Sequence, residues 1–363
     1  MNRSKKTIPI IIVVLCLLIL IIDTKTVIAG AQDGIELCLK TLIPSLFPFF
    51  IVSSLFCMYC SSLNASCITP ILRLCGVHPN CSSLLIIGLI GGYPTGAKAI
   101  SEAYDRGDLS LPQARRMLGF CNNAGPAFIF GMIGRCFDSP AVCIIIQLIL
   151  IVSALITGTI LSKKSVDYND RPGIQVIKSG NLMETNIKAM TSVCAWVILF
   201  RIVITFFEKW FLWMLPKELG ITLIGTMELS NACISLNSIA NDGQRFIIAT
   251  GILSFGGLCV YMQTSAVTKN IGSGLYIPGK LLQSAISITL AIIAQYLLFP
   301  QNNIPVYFAG IPIFVFFALY ISVKMYCKKT VAFSNTLVYN KRKKSAEARH
   351  AISKKNFALL RLL

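Results

Sequence analysis

Apolar residues in this chain gather into runs that approach the length of a bilayer span. A hydrocarbon core of about 30 Å takes roughly 20 apolar residues at the helical rise. Ile8 to Ile22, Pro140 to Leu161, Ala189 to Phe207, Lys280 to Phe299 and Val306 to Tyr326 have that character. Leu42 to Tyr59 has it with a kinked entry at Pro44 and Pro48. Two stretches interrupt sequence of the same apolar grade: Gly88-Leu-Ile-Gly-Gly-Tyr-Pro-Thr-Gly-Ala-Lys98 and Cys121-Asn-Asn-Ala-Gly-Pro126. In hydrocarbon an unpaired backbone group costs several kcal/mol, so a broken helix persists only where protein or a water-lined cavity meets its freed N–H and C=O groups. Such breaks are how secondary transporters build solute sites near the membrane midplane.

Charge along the loops sets a topology. Cytoplasmic loops carry excess Lys and Arg. Arg3, Lys5 and Lys6 hold the N-terminus inside, and the first run reads as a signal-anchor with no cleavage site directly after it. The connector bearing Lys163, Lys164, Arg171, Lys178 and Lys188 is cytoplasmic by the same rule, as is the tail from Lys328 to Arg361. Parity then makes one of the two broken stretches re-entrant, and taking Ser83 to Lys98 as that one leaves Arg106, Arg115 and Arg116 inside. In the second half Gly225 to Ala240 re-enters from the other side, Phe246 to Thr268 crosses inward and Lys280 to Phe299 crosses outward. The expected fold is an all-α polytopic membrane protein, with about eight transmembrane helices and two re-entrant hairpins in an inverted-repeat arrangement. Its parts are an anchor and connector (residues 1–41), a first repeat (42–162), a cytoplasmic linker (163–188), a second repeat (189–299), a last span (300–327) and a basic tail (328–363).

Composition agrees with a membrane protein: 55% of residues are hydrophobic and 13% charged. The net charge of +18 sits in tails and loops beside apolar spans. It therefore points to membrane lipid as a partner, at about 1 kcal/mol per basic residue near an anionic surface, and not to nucleic acid. Of the 14 cysteines, Cys16, Cys143, Cys194, Cys233 and Cys259 lie in apolar segments, where they act as small hydrophobes. Cys57-Met-Tyr-Cys60 has no second CxxC or histidine pair beside it, and the two histidines add no cluster, so neither a metal site nor a cofactor is expected. Between the broken elements, Ser110, Pro112 and Gln113 form the start signal of a short amphipathic surface helix.

Several residues could carry solute chemistry. A helix restarting near Pro94 aims its free N–H groups at the break, with Tyr93, Thr95 and Lys98 as donors beside it. Alternatively Gly91, Gly92 and Gly96 serve close helix packing. Asn122 and Asn123 either hydrogen-bond a ligand or cap the break made by Gly125 and Pro126. Glu228 costs about 3 kcal/mol in the membrane unless it faces a cavity or a partner. It either couples transport to a proton or cation, or binds solute, with Ser230, Asn231 and Gln263 nearby; the alternative is a buried ion pair with Arg201. Gly256 and Gly257 mark a further break. No catalytic constellation emerges, so an enzyme is not expected: P-loop, HExxH and Ser-His-Asp patterns are missing.

Leu42-Ile-Pro-Ser-Leu-Phe-Pro-Phe-Phe50, Gly92-Tyr-Pro-Thr-Gly-Ala-Lys98 and Phe120-Cys-Asn-Asn-Ala-Gly-Pro126 together resemble the YlbJ-type sporulation integral membrane proteins, which carry a nucleoside-recognition or Gate domain. Met227-Glu-Leu-Ser-Asn231 and Phe255-Gly-Gly-Leu-Cys-Val260 with Gln263 extend the likeness over most of residues 40 to 300. Tyr261 and Lys280 depart from the pattern, which has a histidine and an arginine there. The resemblance implies a spore-forming bacterium, a place in the cell membrane during sporulation, and a role in building the spore envelope, particularly its cortex; with the charge pattern, the expected location is multi-pass in the bacterial cell membrane with both termini cytoplasmic. The expected function is secondary transport of a small polar solute. The alternative is a non-transporting scaffold that recruits envelope-assembly partners, and association with itself or with other sporulation membrane proteins is expected in either case.

Overall fold

The computed structural model describes residue 14 and residues 17–60, 68–162 and 182–301. All of them fall in one unit, Met1–Phe316, and the second unit, Phe317–Leu363, lies outside them. So do most of the expected first span, most of the cytoplasmic linker (163–181), the expected last span, the basic tail, and the side chains of Cys16, Cys57 and Cys60.

The described residues are helical and contain no strand. In chain order the α-helices are α1 (Thr24–Leu37), α2 (Ile43–Cys60), α3 (Thr69–Leu74), α4 (Ser82–Ile90), α5 (Thr95–Asp105), α6 (Leu111–Met117), α7 (Pro126–Met132), α8 (Pro140–Leu161), α9 (Leu182–Trp210), α10 (Lys217–Met227), α11 (Leu229–Ser235), α12 (Asp242–Phe255), α13 (Gly257–Val267) and α14 (Tyr276–Leu298). Five stretches among the described residues are long and apolar enough to cross a membrane: Thr24–Val52, Pro140–Leu161, Leu182–Trp210, Asp242–Val267 and Tyr276–Leu298. Their outer faces are apolar. On α8, Ile144, Leu148 and Val152 stand exposed one turn apart, and α14 exposes Ile293 and Leu297. That arrangement suits lipid and not water.

Ser139 caps α8 by accepting from Ala141 N, and Pro140 opens its first turn, so the helix starts where the apolar run does. Residues 24–42, expected to connect two spans, are instead helical, with a π-turn at Cys38–Leu42 leading straight into α2. The charges of this segment are accommodated sideways. Glu36 and Lys40 pair with each other, Asp33 pairs with Arg201, and Asp23 pairs with Lys209.

Helix α1 packs along α9. Gly30 and Gly34, four residues apart, let the two backbones approach: an added Cβ would lie 2.9 Å from Ile202 Cα and Ile198 Cα respectively. Small residues at this spacing are the usual device for close helix contact in membranes. Gly34→Leu is expected to separate the pair and lower stability by about 2–3 kcal/mol, read as a fall in the melting temperature of the purified protein in detergent.

Two helix pairs fold back on themselves. Helices α4 and α5 pack together across the break Gly91–Pro94, and α10 and α11 do so across a break of one residue, Glu228. After the first pair, α6 starts at Ser110, where Gln113 Oε1 accepts from Ser110 N at 3.0 Å and Oγ at 2.7 Å, the expected capping pattern. Helices α8 and α14 pack antiparallel. Phe137, before α8, meets Phe299, after α14, at 6.2 Å between rings, while Leu161 and Gly279 at the opposite ends both adjoin Gly119.

Candidate functional site

The segment between α6 and α7, residues 118–125, threads a slot lined by glycine. A Cβ on Gly88 or Gly96 would lie 2.4 or 2.2 Å from Cys121 O, one on Gly279 would lie 2.3 Å from Gly119 O, and one on Gly125 would lie 2.9 Å from Gly92 N. No side chain larger than hydrogen fits at these crossings. The segment therefore carries Asn122 and Asn123 into the gap between α4 and α5.

The two amides divide the break between them. Asn122 Oδ1 accepts from Ala97 N at 3.3 Å, in the first turn of α5. Asn123 Nδ2 donates to Gly88 O at 3.0 Å, a carbonyl left free where α4 ends, and to Phe120 O at 2.8 Å. One asparagine thus caps the helix that restarts and its neighbour caps the helix that stops. The capping alternative read from the sequence is what the geometry displays, with one difference: they chiefly cap the Gly91–Pro94 break, not the turn at Gly125 and Pro126.

Both amides also reach the second half. Asn122 Nδ2 donates to Thr264 Oγ1 at 3.0 Å. Asn123 Oδ1 accepts from Lys280 Nζ at 2.9 Å and from Gln283 Nε2 at 2.8 Å, and Lys280 Nζ donates again to Gln283 Oε1 at 2.9 Å. The Tyr93 ring lies 5.2 Å from the Lys280 ammonium, a cation–π contact. Tyr93 OH donates to Leu253 O at 3.1 Å, one of the carbonyls freed where α12 stops at Gly256.

At Gly256 and Gly257 the φ angles are +82° and +80°, and α12 gives way to α13. Tyr93 lies against one side of this break, with its OH 2.9 Å from the position a Gly256 Cβ would take. Gly225 O and Met227 O lie against the other, at 2.9 and 3.3 Å from that of Gly257. Glu228 follows directly. Its carboxylate accepts from Ser230 N at 2.9 Å, Asn231 N at 2.7 Å and Asn231 Nδ2 at 2.6 Å, capping α11. The interruptions of both halves therefore converge on one polar region.

Not every expected residue joins it. Arg201 pairs with Asp33 and Glu208 at 2.8 and 3.0 Å, so the ion pair with Arg201 that was the alternative reading of Glu228 is not formed. Both acids lie within reach of Arg201 along the α1–α9 seam. Lys98 is part-exposed and lies 3.9 Å from Glu102, one turn on; Thr95 is also part-exposed, in the first turn of α5. Gln263 is buried, with its Nε2 3.4 Å from Cys259 Sγ. Pro94 is the N-cap residue of α5, and Gly91 packs on Ile87 O and Thr95. Among the described residues no group of three or more His, Cys, Asp and Glu side chains could hold a metal ion.

The chain is 24% identical over 287 residues to "Sporulation integral membrane protein YlbJ" of Bacillus subtilis (strain 168). The match covers 66% of this chain and 69% of that protein. This supports the YlbJ-type resemblance. No family model matches the chain, and no solved structure does. With its apolar outer faces, the chain is a multi-pass integral membrane protein related to a protein of sporulation.

Lys280, Gln283 and Thr264 were not singled out as site residues from the sequence. For Lys280 and Gln283 a signal was present: a lysine and a glutamine three apart in an apolar run lie on one helix face. It was obscured because the span was taken to begin at Lys280. The helix begins at Tyr276, which places Lys280 a full turn inside.

Proposed function

We propose that this protein is a secondary transporter that moves a small polar solute across the membrane around a developing spore, for use in building the cortex. The observation that carries this reading is the convergence of helix breaks from both halves on Asn122, Asn123, Tyr93, Thr264 and Lys280. In the described arrangement these side chains satisfy backbone and one another, as backbone in a membrane requires. When the halves part, the same donors and acceptors become available to a solute that replaces those bonds. In this reading α4–α5 and α10–α11 are re-entrant hairpins of an inverted repeat, a design suited to alternating access. The same reading has about eight crossings, with both termini cytoplasmic by the excess of Lys and Arg in loops and tail. The chain performs no catalysis; its partners are the solute, lipid and other membrane proteins of sporulation.

The test begins with the metabolites that differ between wild-type and deletion cells during cortex formation. Each is offered to proteoliposomes holding the purified full-length protein. Saturable uptake is expected for at least one, reduced about tenfold or more in Tyr93→Phe, which removes only the hydroxyl that bridges the halves. If no metabolite is taken up while deletion cells still fail to sporulate, the scaffold reading replaces this one.

A further inference from the structure

Lys280 is fully buried, and no ion pair among the described residues includes it. A buried ammonium ordinarily has a carboxylate beside it. This one has two neutral amide oxygens, Asn123 Oδ1 and Gln283 Oε1, each at 2.9 Å, and the face of Tyr93. The oxygens come from opposite halves of the chain. They are also held from behind: Gln283 Nε2 donates to Asn123 Oδ1 at 2.8 Å and to Leu150 O at 3.3 Å, while Asn123 Nδ2 is anchored on Gly88 O and Phe120 O.

Neutral oxygens fixed in place at the end of an interrupted helix are what a hard monovalent cation takes in exchange for its water. We infer that Asn123, Gln283 and Tyr93 form a seat for a monovalent cation, which this chain fills with its own Lys280 ammonium in place of Na⁺. The inference rests on the transport reading for its role. Docking of the 118–125 segment onto α14 would be held by a tethered charge, so the closed arrangement would need no ion from solution. Solute movement would then not depend on a sodium gradient.

The seat itself is tested without any solute, by melting the full-length protein in detergent in NaCl and in choline chloride at equal ionic strength. The wild-type protein is expected to melt at the same temperature in both. Lys280→Ala empties the seat: it should melt lower in choline chloride and recover in NaCl by about 3 °C for a roughly tenfold excess of Na⁺ over its dissociation constant. The double variant Lys280→Ala with Asn123→Ala should lose that recovery. A folded Lys280→Ala protein that melts alike in both salts would overturn the inference, and so would a sodium-specific rise in the wild type. A sodium-specific rise in the wild type refutes the inference even if Lys280→Ala does not fold. Because no flux is read, the seat can fail while uptake persists, and uptake can fail while the sodium recovery stands.

Discussion

Gly96→Ala is expected to prevent recovery of folded protein, and Gly88→Ala to do nearly the same. A Cβ at position 96 would lie 2.2 Å from Cys121 O, 2.9 Å from Gly88 Cα and 3.2 Å from Asn122 Cα; at position 88 it would lie 2.4 Å from Cys121 O and 2.7 Å from Cys121 C. Every obstacle is backbone, so no side chain can rotate out of the way. Overpacking in a core costs about 1–3 kcal/mol where neighbours can shift, and occasionally more. Here the shift would also pull Asn122 from Ala97 N and Asn123 from Gly88 O, each a further loss of about 1–2 kcal/mol in a dry setting. The sum, about 4 kcal/mol or more, is a large part of a typical protein's total stability. Gly107→Ala is the comparison. It meets nothing within 4 Å and has only its φ of +84° to strain, for about 1 kcal/mol. Detergent extraction followed by size exclusion and thermal melting reads both variants. A Gly96→Ala protein that melts near Gly107→Ala would mean that the 118–125 segment does not cross the hairpin as described.

Local signals were legible in the sequence; their targets were not. Pro140 and Leu161 bound both the apolar run and α8, because Ser139 and Pro140 are start signals that act within one turn. Ser110 and Gln113 were readable for the same reason. The Gly91–Pro94 and Asn122–Gly125 breaks were visible as clusters of glycine, proline and asparagine. What those residues bind was not. Asn123 reaches Gly88, 35 positions away, and Lys280, 157 away, and those distances close only because glycines let the segments cross. An ion pair with Arg201 was the alternative reading of Glu228, on the rule that a charge inside a membrane seeks a partner. Arg201 does find acids, but they are Asp33 and Glu208 on or beside the α1–α9 seam, and that seam was hidden because residues up to 41 were read as an anchor and connector. Glu228 is instead held by backbone and amide N–H groups at a helix start.

Asn123→Ala should cost more than any other side-chain truncation in the polar cluster, about 4 kcal/mol. Four interactions end at this one amide: Gly88 O and Phe120 O lose a donor, and Lys280 Nζ and Gln283 Nε2 lose an acceptor. Each group left unsatisfied in a dry interior costs about 1–2 kcal/mol, and a charged one more. Asn122→Ala strands only Ala97 N and Thr264 Oγ1, so about half that loss is expected. The penalty at Asn123 belongs mainly to the partners left behind, and this makes it separable. Lys280→Met removes the ammonium that Asn123 serves, at the cost of whatever the pair contributed together. In the double variant no buried charge is left without an acceptor, so its loss should fall short of the two single losses added, by about 1–2 kcal/mol. Unfolding titrations of the four proteins in mixed detergent micelles give that coupling directly. Strict additivity would mean that Lys280 does not depend on Asn123, and the link between the broken segment and α14 would then have to be carried by the glycine crossings alone.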